Sequence, residues 1–166
     1  MGGFIIRKYL EDHGAPGAVL LSSPTKLLAP ALRVARRHPL LFARATLTLS
    51  QLPLISTPQL AREAFFGADV PDDQMVARWR QMQDGSYRAY LHMVGLDPPG
   101  PARNKVPLLV LGAGRDNMLT PGEVEAAARA CDAAFEIIPE VAHNSMLGPR
   151  WQAVAERILA WLQQRN

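Results

Sequence analysis

Apolar residues change their spacing several times along this chain, and each change marks a different kind of element. Phe4, Ile5 and Tyr9, with Ile6 beside them, fall on one helical face, and His13-Gly14 supplies the stop. Ala18-Val19-Leu20-Leu21 is a short unbroken apolar run before Ser22-Ser23-Pro24. Such a run suits a parallel strand covered on both faces. A second run, Val106 to Leu111, closes at Gly112-Ala113-Gly114, and a third is Phe135-Glu136-Ile137-Ile138. Between them, Thr120-Pro121-Gly122-Glu123 offers a cap, a proline at the first helical position and a Glu three residues after the cap. Val124, Ala127, Ala128 and Cys131 follow at i, i+3, i+4 and i+7, which predicts an amphipathic helix with Cys131 on its buried stripe. Trp151, Val154, Ala155, Ile158, Leu159 and Leu162 form the most regular helical stripe of all.

The stretch 24–104 has a different texture. It is rich in Leu, Ala and Arg, and Pro30, Pro39, Pro53, Pro58 and Pro71 divide it into short helices with little that reads as strand. It closes on Asp97-Pro98-Pro99-Gly100-Pro101, which cannot continue a helix and reads as a linker. The predicted fold class is therefore α/β. Three parallel strands flanked by helices come from residues 1–23 and 105–166, with an all-helical insertion over 24–104.

Composition narrows the function classes. At 166 residues, with 48% hydrophobic and 20% charged, the chain has the make-up of one globular domain rather than a disordered segment. The single cysteine excludes a disulfide framework and any multi-cysteine metal site. No cluster of His, Asp and Glu has metal-ligand spacing, and no glycine-rich phosphate loop opens a helix, so neither metal nor cofactor is expected. The net charge of +3 is too weak to imply nucleic acid. Its basic excess is local to the insertion, where Arg33-Val34-Ala35-Arg36-Arg37-His38 reads as a solvated helix face. Contact with anionic lipid heads or an acidic substrate is the alternative for that run. No apolar stretch is long enough to span a membrane. Arg7 and Lys8 interrupt Phe4-Ile5-Ile6, against a signal peptide, and Ile6 stands where a myristoylation start needs Ser or Thr. A cytoplasmic protein is the expectation.

Open parallel sheets carry their functional residues in loops after the carboxyl ends of strands. Asp116 and His143 both stand in that position, one after the second strand and one after the third. Adjacent parallel strands would bring the two loops together, and a carboxylate beside an imidazole fixes its tautomer and stabilises the imidazolium. Alone, a loop Asp among glycines is a turn former and a loop His is structural or solvated; their joint placement points to chemistry. Of the other histidines, His13 sits at a helix end, where a cation suits the dipole, and His92 has no partner within reach by sequence.

Together these features resemble the α/β-hydrolase superfamily. Gly112-Ala113-Gly114-Arg115-Asp116 is similar to its acid loop. Val141-Ala142-His143-Asn144-Ser145-Met146-Leu147, followed by Trp151, is similar to the histidine loop and final helix of esterase- and lysophospholipase-like members. The resemblance implies that the insertion is a lid between the sixth and seventh strands. It also gives meaning to Met1-Gly2-Gly3, which matches the residues directly after the serine of the family's Gly-x-Ser-x-Gly elbow. The expectation that follows is a chain beginning just past its nucleophile, with Asp116 and His143 as the retained catalytic residues. Met1 would stand where a backbone N–H normally joins the oxyanion hole.

The intact relative would be a serine hydrolase of small hydrophobic esters or lipids. The apolar lid segment Leu40-Leu41-Phe42, Leu47, Leu49, Leu52, Leu54 and Ile55 would either pack internally or wall an acyl chain. Ser22 and Ser23, at the end of the first strand, are the nearest local serines, but no elbow holds them out. Ser145 is expected to support the histidine loop. As written, the chain is expected to be inactive. The alternatives are a truncated, non-enzymatic remnant or interaction module that self-associates through an open sheet edge, and a misassigned start codon.

Overall fold

The computed structural model describes residues 1–100 and 105–165; Pro101, the last residue of the predicted linker, lies outside them. The chain divides into two compact units, Met1–Thr25 with Pro99–Asn166, and Lys26–Pro98.

The first unit is built on a three-stranded parallel sheet in the order β1 (Ala18–Leu21), β2 (Leu108–Ala113), β3 (Ala134–Ile138). Leu20 pairs with Val110, and Ala113 with Ile138. Every residue of β2 is buried, as a central strand covered on both faces must be. Alternation along β2 divides the core. Leu109, Leu111 and Ala113 share one cluster with Ile138, Val141, Val154 and Trp161, the last two from α8 (Trp151–Gln163). Residues of the opposite parity face α7 (Pro121–Ala130): a Cβ on Gly112 would meet Val124 Cγ1 at 3.3 Å. Leu20 shares the parity of its partner Val110, so α1 (Gly2–Asp12), which packs on Leu20, lies on the same face as α7.

Sequence patterning located these helices but did not always identify their buried faces. In α1 the apolar side chains of Ile5 and Tyr9 are exposed, and the buried residues are Arg7 and Leu10. Close approach at Gly3 is the reason. A Cβ there would sit 2.2 Å from Ser23 Oγ, so only glycine lets the Gly3–Arg7–Leu10 face lie on β1. In α8 the structure buries Val154 and Trp161 with Ile158 half-buried, and leaves Trp151, Ala155, Leu159 and Leu162 exposed. Trp161, absent from the predicted stripe, wins because its large ring fills the space over Gly17, whose Cβ would touch it at 3.0 Å. The capping box of α7 is present in full, with Thr120 and Glu123 bonded reciprocally. That helix stops at Ala130, so Cys131 is its half-exposed C-cap rather than part of its buried stripe.

The second unit is helical: α2 (Leu28–Arg37), α3 (Pro39–Thr48), a 3-10 turn (Leu52–Ile55), α4 (Pro58–Phe65), α5 (Asp72–Trp79) and α6 (Tyr87–Leu91). Prolines open most of these elements. Pro39 and Pro58 occupy first helical positions, Pro53 lies in the first turn of the 3-10 element, and Pro71 caps α5. Ala61, Phe66, Val70 and Met75 form its core with Trp79, whose Nε1 donates to the Ile55 carbonyl at 2.8 Å. No helix among the described residues is long and apolar enough to cross a membrane.

The basic run is not simply solvated. Arg37 Nη1 and His38 Nε2 both reach Glu63 Oε1, at 3.0 and 3.1 Å. Burial alone would raise the Glu63 pKa, but hydrogen bonds from His38 and Arg37 outweigh it and hold the carboxyl below its ordinary range. A carboxyl held low stabilises the fold above its unfolded pKa and loses that effect as pH falls through the folded value. Glu63→Gln is therefore expected to flatten the acid limb of the unfolding midpoint against pH. At neutral pH, solvent screening keeps the change under about 1 kcal/mol. A pH scan of wild type and variant by circular dichroism checks this; identical acid limbs would remove Glu63 from the account.

Candidate active site

Two loops at the carboxyl edge of the sheet make the site, and the backbone locks them together first. The Gly114 N–H donates to the Ile138 carbonyl at 2.9 Å, and the Arg115 N–H to the Val141 carbonyl at 2.9 Å. A Cβ on Gly114 would lie 3.1 Å from Pro139 Cα and 3.2 Å from the Ile138 carbonyl oxygen, so any larger residue would push the two loops apart by a few tenths of an ångström. The Arg115 guanidinium forms an ion pair with Glu140 across the same junction. Glu140 itself takes φ 63, in the left-handed region that a non-glycine residue adopts only where its surroundings hold it.

On this frame the predicted pair meets. His143 Nδ1 lies 2.8 Å from Asp116 Oδ2. The Asp116 side chain is only 1% exposed, while that of His143 is 22% exposed. The other carboxylate oxygen, Oδ1, accepts the Met118 N–H at 2.8 Å and the Leu119 N–H at 3.0 Å. Both oxygens of a buried carboxylate are thus engaged, which fixes the plane of the carboxylate and the ring it faces. Such an arrangement orients the imidazole with Nδ1 toward the carboxylate and stabilises the cation formed when Nε2 takes up a proton. Ser145 is buried and its N–H donates to the His143 carbonyl at 2.9 Å, steadying the loop. Sequence reasoning missed the Arg115–Glu140 latch and the two amides on Asp116. The second had a readable signal, since Asp commonly turns back onto the N–H two residues ahead.

The remaining candidates are placed as follows. Met1 is the N-cap of α1, its carbonyl accepting the Phe4 and Ile5 N–H groups at 3.0 and 3.2 Å. Contact between Gly3 and Ser23 puts this helix start at the carboxyl edge of β1, the edge that also carries Asp116 and His143 in a parallel sheet. Ser22 has φ 42, and both Ser22 and Ser23 are buried. His13 Nδ1 is 3.0 Å from the Tyr9 carbonyl oxygen, and His92 does have a partner, its Nδ1 lying 3.6 Å from Asp97 Oδ2. No metal-holding group of His, Cys, Asp and Glu occurs among the described residues. In the helical unit, Leu52 and Ile55 line a cavity of about 650 Å³ with Trp79 and Met82, while Leu40 and Leu47 stand exposed.

Solved structures place this arrangement among known folds. Across 99% of its length the chain superposes on a protein provisionally assigned as the non-heme bromoperoxidase BpoC of Mycobacterium tuberculosis H37Rv, with TM-score 0.74 and 19% identity. The enol-lactonase of Burkholderia xenovorans LB400 matches 98% of the chain at TM-score 0.67 and 17% identity. A thermophilic esterase of Thermogutta terrifontis matches 99% at 0.58 and 20%. The chain has a partial α/β-hydrolase fold. It spans 64%, 63% and 62% of those three chains respectively. No protein-family model and no curated protein sequence matches it.

Proposed function

We propose that Asp116 and His143 are the acid and base of a serine-hydrolase site, acting in the intact relative on small hydrophobic carboxylic esters. The observation that carries this is the 2.8 Å contact between His143 Nδ1 and a carboxylate whose other oxygen is held by two backbone amides. In that chemistry His143 Nε2 takes the proton of the attacking serine and later returns it to the leaving alkoxide. Asp116 holds the ring and stabilises the imidazolium without itself being protonated. The amide at the position of Met1, at the N-terminus of α1, is assigned to the oxyanion hole. The helical unit, 26–98, is assigned as the lid.

The same reading gives this 166-residue chain no serine suited to the nucleophilic role. Ser22 and Ser23 are at the right edge of the sheet but buried, and Ser145 braces the histidine loop. The purified chain is therefore expected to hydrolyse p-nitrophenyl acetate and butyrate no faster than its His143→Ala variant. A chain extended upstream to include an in-frame Gly-x-Ser is expected to turn over, and to lose about 10³-fold or more with His143→Ala. Failure of that extended chain would sink the proposed roles. Turnover by the unextended chain, lost in both His143→Ala and Ser22→Ala, would make Ser22 the nucleophile, its left-handed φ acting as the elbow.

A second reading rests on the strand order. β1 stands at one end of the three-stranded sheet, and an unpaired edge is a template for another strand. An interaction module would use that edge to dimerise or to bind a complementary fragment. A concentration-independent monomer in sedimentation velocity would remove it.

A further inference from the structure

At the opposite edge of the sheet, where β2 and β3 begin, lies a cavity of about 570 Å³. It is lined by Arg7 of α1, Arg129 near the end of α7, Arg165 just past α8, and Lys105 ahead of β2. Asp132 is the only carboxylate among its described lining residues. Four cations from separate parts of the chain line one concavity with one carboxylate among the described lining residues, while Glu125 pairs with Arg129 and Glu11 accepts from the Gly100 N–H beside it. Like charges gathered this way repel one another and focus a positive potential into the cleft.

Arg7 is the most buried of the four. It is 7% exposed, so its charge is largely removed from water, and a guanidinium cannot discharge itself by losing a proton. Among the described residues no carboxylate pairs with it; its Nη1 has the Thr25 carbonyl oxygen at 3.5 Å, the limit of a hydrogen bond. Arg129 is already engaged by Glu125 at 2.9 Å, and Arg165 stacks on the Trp161 ring at 4.3 Å, an arrangement that leaves the guanidinium edges available to an anion.

The remaining lining defines the rest of the ligand. Leu10, Val106, Leu108 and Ala134 supply an apolar wall beside the cations. The volume lies within the range of small-molecule pockets and far exceeds the ~30 Å³ share of one water. We propose that this cavity is a binding site for a small phosphate monoester, its phosphate held by the four cations and its organic part lying on the apolar wall. The site is distinct from the Asp116–His143 pair, because its residues gather at the strand starts rather than the strand ends.

Cys131, the only cysteine of the chain, also lines the cavity and reports on its occupancy. The experiment follows alkylation of Cys131 by iodoacetamide in the full chain, titrated with phenyl phosphate against sodium chloride of equal ionic strength. Calorimetry gives the affinity. Saturable protection by phenyl phosphate is expected, at least fivefold in rate, with inorganic phosphate binding more weakly. The double variant Lys105→Gln/Arg129→Gln changes two exposed side chains and is expected to weaken binding tenfold or more. Arg7→Gln is expected to abolish it, and the double variant decides the matter if Arg7→Gln fails to fold. Protection equal to that by chloride would overturn the proposal. So would affinity unchanged in the double variant, or inorganic phosphate binding as tightly as the ester.

Discussion

Replacing Asp116 by alanine is expected to lower the stability of the sheet-bearing unit by about 3 kcal/mol, before any question of activity arises. Its side chain is 1% exposed and accepts from the Met118 and Leu119 amides while facing His143 Nδ1. Alanine leaves both amides and the imidazole without that acceptor. A lost partner for a buried donor costs roughly 1–3 kcal/mol, more than the net gain from an ordinary hydrogen bond. Asp116→Asn separates the effects. Its side-chain carbonyl still accepts from the two amides, so only the charge-assisted contact to His143 is removed and about 1–2 kcal/mol is expected. Urea unfolding of the two variants, followed by tryptophan fluorescence, makes the comparison. If alanine costs no more than asparagine, the carboxylate does not organise the loop.

Trp161→Ala is expected to have the larger effect on folding, about 3–5 kcal/mol. Trp161 is buried in the cluster that joins α8 to β2 and β3, fits over Gly17, and carries Arg165 on its ring. Truncation would open a cavity between α8 and the sheet that the short strands are poorly placed to fill. A native protein is stable by only about 5–15 kcal/mol, so a loss of this size removes a third or more of it. Trp161→Phe keeps most of the volume and is expected to cost well under half as much. The indole Nε1 is buried with no hydrogen-bond partner among the described residues, so its loss offsets part of that change. Thermal melts of wild type, Trp161→Phe and Trp161→Ala test the order; equal melting temperatures for all three would show that α8 contributes little to the core.

Much of the candidate site was readable from the chain because it depends on local signals. Asp116 and His143 each follow an apolar run, and in a parallel sheet adjacent runs end side by side. The latch between their loops was not readable. Nothing local in Arg115 or Glu140 says that they meet, and the strained φ of Glu140 is imposed by the contact rather than encoded in its residue type. His38 and Glu63 illustrate the same limit, since residues 25 apart in sequence pair only once the helices pack.

What the sequence determined by itself is the set of elements and their order. Short, largely apolar runs specified three strands, of which only β2 is buried throughout, and prolines and a capping box marked the helix starts, because each depends on backbone chemistry within a few residues. Which face of a helix is buried was decided by the tertiary structure. Apolar residues occur on more than one side of α1 and α8, and the choice fell to the side that fits: Gly3 admits α1 to β1 along Arg7 and Leu10, and Trp161 seats α8 over Gly17. Tertiary structure alone also assembled the cationic cavity. Its four cations belong to distant parts of the chain, and no spacing pattern along the sequence links positions that become neighbours only when helices and strand starts converge at one edge of a sheet.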